Sequence, residues 1–298
     1  MKVEKYLEKF GSRFSDKLVC VTGSTGGLGG CICDHLALLG ARLVLADRNP
    51  QKQESLKKRL KEKYPSLEIS CIRLDLDDLE SVREAITALK EMKLDYFINN
   101  AGSYGIKRKK SYFGYNNVFT VNFISPYLVI RSLLQDEENI KAVCVASIAH
   151  KLSKADKRDI DRSKFKLDSR VYGNAKRFLM FSLWELKKSE RLSICHPGIT
   201  PTGITSNYPS FIKAVIKYPM KLLFQSPKKA ALSVIEAMGG DPGEFCWIGP
   251  KVFGIWGGPK LKSLKKPSED ELNAVCSVAD EIYKRFKEEK KCQAEMIG

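Results

Sequence analysis

Between Lys17 and Gly198 the chain alternates compact β-branched runs with longer stretches whose apolar residues recur every three or four positions. KLVCVTG (17–23) stops at a glycine, GCICDHLALLG (30–40) reads as a helix closed by Gly40, and ARLVLADR (41–48) follows at once as a second strand. A charged helix over 50–64, a strand over 67–76, a helix over 79–92 and a strand over 94–102 continue the alternation. Then come a helix over roughly 117–134, a strand over 141–147, a polar insertion from Lys151, a helix from about Tyr172 to Lys188 and a strand over 192–198. Further helices are expected near 210–223, 227–238 and 268–290. Strands separated by helices at this spacing predict an α/β fold, a three-layer doubly wound parallel sheet of the Rossmann type. No Pro-, Gly- or Ser-rich hinge divides the chain, so residues 1–298 are expected to form one domain, with residues 151–170 as a polar insertion.

Composition narrows the class. Of 298 residues, 43% are apolar and 29% charged, enough apolar side chain to fill a large core and too much for a disordered chain. The opening MKVEKYLEKFGSRFSDK lacks the apolar centre of a signal peptide. The longest apolar-looking run, from Thr120, contains Asn122, Pro126 and Arg131 and is too short to span a bilayer. Nine cysteines form no Cys-x-x-Cys pair, and their odd number argues against a complete disulfide framework and for a reducing, cytoplasmic setting. The three histidines, at 35, 150 and 196, make no ligand cluster, so no metal site is expected.

Chemistry enters at Thr22-Gly23-Ser24-Thr25-Gly26-Gly27-Leu28-Gly29, directly between a strand and a helix. There, glycines allow a tight turn and let a pyrophosphate approach backbone N–H groups at the helix start. Asp47 ends the second strand 18 positions after Gly29, where a carboxylate accepts hydrogen bonds from an adenosine ribose and repels a 2′-phosphate. That favours NAD over NADP, while the adjacent Arg48 keeps the NADP reading open. Asp75, followed by Leu76 at the end of the third strand, is placed to accept from the adenine amino group, a capping role being the alternative. Tyr172 and Lys176, four apart, share one face of a predicted helix. A free phenol, titrating near ~10, is a poor acid or base at neutral pH, and a neighbouring cation favours its phenolate. Ser147 closes an apolar strand whose end faces the ligand crevice of such a sheet, with no Gly-x-Ser-x-Gly elbow around it. Catalytic roles for His150 and His196 are not favoured.

Taken together, these residues resemble a classical short-chain dehydrogenase/reductase, and in detail its retinol dehydrogenase-like branch, from about Lys17 to Thr202. The resemblance places the family's Gly-rich turn on Gly23, Gly27 and Gly29, its adenine contact on Asp75, and its Asn-Asn-Ala-Gly on Asn99, Asn100, Ala101 and Gly102. Its catalytic Asn, Ser, Tyr and Lys fall on Asn122, Ser147, Tyr172 and Lys176, and its Pro-Gly-x-x-x-Thr on Pro197, Gly198 and Thr202. It implies hydride transfer between NAD, or NADP, and a medium-to-large apolar alcohol, aldehyde or ketone. It also implies a homodimer or homotetramer, and a C-terminal extension over 203–298 that covers the substrate. Ala146-Ser147-Ile148-Ala149-His150 has one serine where branch members often have two, and the long interval from Ser147 to Tyr172 suggests that the insertion shapes a substrate entrance.

Charge offers competing readings. Residues 1–150 carry 23 basic and 18 acidic side chains, and residues 151–298 carry 28 and 17, so most of the net +16 lies in the second half. SFIKAVIKYPMKLLF (210–224), with Lys213, Lys217 and Lys221, suits an interfacial helix on anionic lipid. The preferred reading is a substrate-covering helix, because Tyr218-Pro219 breaks the period. Lys107-Arg108-Lys109-Lys110 and the insertion suggest a nucleic-acid surface, but acids interleave and no aromatic stacking pattern accompanies them. A fold that binds a nucleotide without catalysing a reaction is the remaining alternative.

Overall fold

Strands β1 (Leu18–Thr22), β2 (Arg42–Asp47), β3 (Ile69–Arg73), β4 (Tyr96–Asn99), β5 (Lys141–Val145), β6 (Leu192–Cys195), β7 (Cys246–Val252) and β8 (Trp256–Ser263) form one sheet in the order β3-β2-β1-β4-β5-β6-β7-β8. All neighbours run parallel except β7 and β8, which form an antiparallel hairpin. The computed structural model describes residues 2–136, 139–156, 158–164, 166–186, 191–200, 225–240, 243 and 245–297, the last eight by backbone alone.

A parallel strand covered on both faces must be apolar at every central position, and Val19, Cys20 and Val21 are each fully buried. Successive side chains point to opposite faces. Cys20, Phe97, Cys144 and Ile194 meet α4 (Leu79–Glu91), α6 (Ser125–Asp136), α7 (Asp168–Leu186) and α9 (Glu269–Ile297) in one core. Val19, Val21, Leu43, Ile98 and Val143 meet α2 (Gly27–Leu38), α3 (Pro50–Lys63) and α8 (Pro227–Met238) in the other. The short N-terminal α1 (Val3–Leu7) joins the second core through Leu7, and Phe10 and Phe14 follow it there. Local chemistry fixes the helix starts. Asp78 accepts from the N–H groups of Glu80 and Ser81, and Asn49 and Ser226 cap helices that begin with Pro50 and Pro227.

The helix expected over 117–134 is α5 (Asn117–Phe119), a π-helical turn (Thr120–Ile124) and α6. Asn117–Asp136 is long and apolar enough to cross a membrane by length and composition, but it lies in the core, almost wholly buried.

Several boundaries move. Helix α2 begins at Gly27 rather than Gly30, because the turn glycines already adopt helical geometry. Helix α7 begins at Asp168, one turn before Tyr172, which shortens the insertion. The hairpin β7–β8 falls where no strand was expected; its sequence includes Gly249-Pro250 and Gly257-Gly258-Pro259, residue types that ordinarily interrupt strands. In the fold Pro250 stands opposite Pro259 at the sheet's edge, where a missing N–H is tolerated. The helix expected over 210–223 lies outside the described residues.

Candidate active site

Strand order reverses between β1 and β4, and in such sheets the crevice beyond the strands' C-terminal ends is where ligands bind. The turn from β1 to α2 is built for close approach. A Cβ on Gly29 would lie 2.1 Å from the Gly23 carbonyl oxygen, so only glycine fits there. Gly23, at φ +63°, sits against Ala101, whose Cα would be 2.9 Å from an added Cβ. Thr22 ties the two loops together. Its Oγ1 accepts from the N–H of Asn100 (3.0 Å) and of Ala101 (2.9 Å), while Asn100 Nδ2 donates to the Thr22 carbonyl at 2.9 Å. The turn therefore fits the pyrophosphate of a dinucleotide, with backbone N–H groups at the start of α2 and no side chain in the way.

Asp47 ends β2 with its carboxylate already engaged: Oδ2 accepts from Thr25 N (3.0 Å) and Thr25 Oγ1 (2.6 Å), and Oδ1 from Arg48 N (2.9 Å). Sequence reasoning missed this clamp, which fixes the end of β2 to the Gly-rich turn. Asp75 is held in a turn, its Oδ1 accepting from Asp77 N at 3.1 Å.

At the other end, Ser147 closes β5 and its Oγ accepts from Ala149 N at 3.2 Å, leaving the hydroxyl proton for another acceptor. The Ser147 turn lies directly on α7, because Gly173 has no side chain: a Cβ there would be 2.3 Å from the Ala149 carbonyl oxygen. Lys176, 3% exposed, donates from Nζ to the Val145 carbonyl at 3.2 Å and sits 5.9 Å from the centre of the Tyr172 ring. Tyr104 meets that ring edge-on at 5.4 Å. Asn122 lies in the π-helical turn with its amide fully committed. Nδ2 donates to the carbonyls of Ser103 and Val118, both at 2.8 Å, and Oδ1 accepts from Ser103 N at 3.0 Å. An inserted π-turn of this kind is frequent at functional sites.

A cavity of about 740 Å³ runs from Asp47 and the Gly-rich turn to Ser147, Tyr172 and Lys176. Gly23, Thr25, Gly27, Leu28, Gly29, Arg48, Asp75, Leu76, Asn100, Ala101, Gly102, Pro197 and Gly198 also line it, so the structure brings together most of the residues singled out from sequence. Thr22, Ser24 and Asn122 do not line it: Thr22 is used in bonding the loops, Ser24 is fully buried, and Asn122 holds the 103 loop. Thr202 lies outside the described residues. Thr200 lines the wall instead, as do Lys52 and His196.

His196 was not favoured as a functional residue, and its environment is unusual. It is 2% exposed, stacks on Trp247 at 5.0 Å, and faces the backbone at Ala146 and Gly254. His150 packs edge-on against the same indole at 5.5 Å, its Nδ1 2.8 Å from the Ser147 carbonyl oxygen. Burial pushes both imidazoles down to about 4, so both are neutral at pH 7. The basic run at 107–110 is partly neutralised, Lys109 pairing with Asp77 at 2.8 Å and Arg108 with Asp168 at 3.7 Å.

Residues 17–157 match the family model described as short chain dehydrogenase. An uncharacterised oxidoreductase of Schizosaccharomyces pombe is 30% identical over 244 residues, 74% of this chain and 71% of that one. Retinol dehydrogenase 12 of Mus musculus is 28% identical over 226 residues, covering 72% and 71%. In fold, a putative uncharacterised protein from Mycobacterium paratuberculosis superposes with a TM-score of 0.69 at 20% identity, covering 91% of this chain and 94% of its own. A dinucleotide turn, a Ser/Tyr/Lys wall on the same cavity and relatives of this breadth agree: the chain belongs to the short-chain dehydrogenase/reductase family and is a nicotinamide-dependent oxidoreductase.

Proposed function

We propose that the chain interconverts a bulky apolar alcohol and its aldehyde or ketone, with Tyr172 as the proton donor and acceptor. The observation that carries this reading is the single cavity that holds both the dinucleotide turn and the Ser147, Tyr172 and Lys176 wall. The nicotinamide supplies the hydride acceptor or donor. Ser147 Oγ, held by Ala149 N, directs its own proton at the substrate oxygen and aligns it. The Tyr172 hydroxyl gives that oxygen a proton during reduction and takes one during oxidation. Lys176 lies close enough to stabilise the negative charge left on Tyr172, and its buried ammonium is oriented by the Val145 carbonyl. A water held at Asn122 would link Lys176 to solvent, both hydrogens of the Asn122 amide being already given to Ser103 and Val118. The similarity to retinol dehydrogenase 12 supports an apolar substrate.

For the cofactor we propose NAD(H), because Asp47 places a fixed negative charge at the end of β2, where a 2′-phosphate would sit. Arg48 and Lys52 line the same edge of the cavity and support NADP(H) as the second reading. Fluorescence titration with NADH and NADPH, followed by an alcohol and carbonyl panel with the tighter cofactor, distinguishes them. In the Tyr172→Phe variant turnover is expected to fall at least about a hundredfold with cofactor affinity unchanged. Wild-type activity in that variant would refute the assignment.

A further inference from the structure

The hairpin β7–β8 carries a surface that the reaction does not use. Its tip residue, Phe253, is 86% exposed and holds φ +50°, a left-handed conformation that a glycine or asparagine adopts at lower cost. Val252 beside it and Leu152, on the 3₁₀ turn after Ser147, are exposed as well. Behind this apolar tip the charge is of one sign. Residues 245–268 contain Lys251, Lys260, Lys262, Lys265 and Lys266 and no acid. Among the described residues, no carboxylate lies within ion-pair distance of Lys151, Lys251, Lys260, Lys262 or Lys265. Lys262 is crowded by Lys151 and Lys260; partial burial, then these two charges, lower its pKa. A cluster that repels itself in this way gains from an anion held against it.

The location adds a third observation. Ile255 and Pro250 press on the Pro197-Gly198 turn: a Cβ on Gly198 would be 2.9 Å from the Ile255 carbonyl oxygen. Gly254 lies over Ile148, next to Ser147. The tip therefore stands at the rim of the catalytic cavity.

We propose that the β7–β8 hairpin is a docking surface for anionic membrane, with Phe253 and Val252 entering the lipid interface and Lys151, Lys260 and Lys262 meeting lipid phosphates. An exposed aromatic tip set before lysines that have no acidic partner among the described residues is the charge and hydropathy complement of such a surface. Docking there brings the cavity rim to the bilayer, the phase in which an apolar alcohol or ketone is concentrated. That last step rests on the substrate class proposed above; the docking itself does not.

The full chain is sedimented with phosphatidylcholine vesicles, with or without phosphatidylserine, at low and high salt. Binding is expected only with phosphatidylserine and to weaken with salt. Phe253→Ser is expected to lower partitioning about tenfold. Lys260→Gln and Lys262→Gln are each expected to lower it about fivefold. All three should retain turnover of a short, water-soluble aldehyde, which also shows that the variants are folded. Equal binding to uncharged vesicles, binding indifferent to Phe253→Ser, or no binding to either vesicle would overturn the proposal. So would equally tight binding to duplex DNA by wild type and Phe253→Ser, which would make the surface a general polyanion site. Self-association lost in these variants without vesicle binding would assign the face to a second copy of the chain. Turnover failing while vesicle binding persists would refute the catalytic reading alone.

Discussion

Glu271, on α9, joins three segments that surround the site. Its Oε1 accepts from Arg177 Nε at 2.6 Å and from Ala155 N at 2.7 Å, and its Oε2 from Arg177 Nη2 at 2.6 Å. Arg177 directly follows Lys176 and also donates from Nη1 to the His150 carbonyl at 3.3 Å. The pair is nearly enclosed, with side-chain exposures of 13% for Arg177 and 12% for Glu271. Removing one member of such a pair leaves the other charge buried and unmatched, at a cost of about 3–5 kcal/mol. For a chain of this length, Glu271→Ala should therefore lower Tm by about 5–8 °C. Burial alone would push the Glu271 carboxyl up, but hydrogen bonds from Arg177 and Ala155 and the Arg177 charge hold it below the usual carboxylate range. A carboxyl with a depressed folded value contributes stability above its unfolded value, about 4.3, and loses that contribution as pH falls through the folded value. The gap between wild type and Glu271→Gln should accordingly be widest near pH 7 and close below about pH 4. Calorimetry across that range tests this. A shift under about 2 °C for Glu271→Ala at pH 7, or a Gln gap independent of pH, would refute the argument.

Two further outcomes follow from the geometry around Ser147 and Trp247. Gly173→Ala places a methyl 2.3 Å from the Ala149 oxygen, so the Ser147 turn must move off α7; kcat should fall about tenfold or more with NADH affinity intact, and an unchanged kcat would refute the contact. His150 and His196 both titrate near 4 in the fold, against about 6.5 unfolded, so each withholds up to about 3 kcal/mol as pH drops. Their contribution is complete above about pH 6.5 and lost as pH falls towards 4; urea unfolding at pH 7 and 5 should show a smaller loss for His196→Phe, and an equal loss would contradict the neutral assignment.

The parallel strands and the Gly-rich turn were legible because each depends on a short local pattern: an apolar run, a glycine, a helix period. Ser147, Tyr172 and Lys176 were legible for a related reason, since a strand end and an i, i+4 pair fix where side chains point. What escaped was long-range. The Glu271 clamp links positions 94 residues apart, and neither partner has a local signal to announce it. The Thr25–Asp47 clamp spans two loops and could have been suspected only from their joint position at adjacent strand ends. The hairpin escaped because proline and glycine, which end strands in a sheet's interior, are compatible with its last two strands. His196 was discounted as an ordinary strand-end residue; its burial against Trp247 depends on a strand that no local pattern announced.

The way this hairpin is fastened has a consequence for motion. β6 and β7 share a single ladder pair, Cys195 with Ile248, reinforced by the His196 N–H to the Ile248 carbonyl at 2.7 Å. By contrast β1 and β2 are joined by five ladder pairs, while β7 and β8 are zipped along most of their length. The hairpin is thus strongly cohesive within itself and lightly sewn to the sheet, which makes the β6–β7 seam the natural line for subglobal opening. Opening along it would carry Ile255 and Pro250 away from Gly198 as one piece, widening the catalytic mouth without disturbing the nucleotide-binding strands on the far side of the sheet.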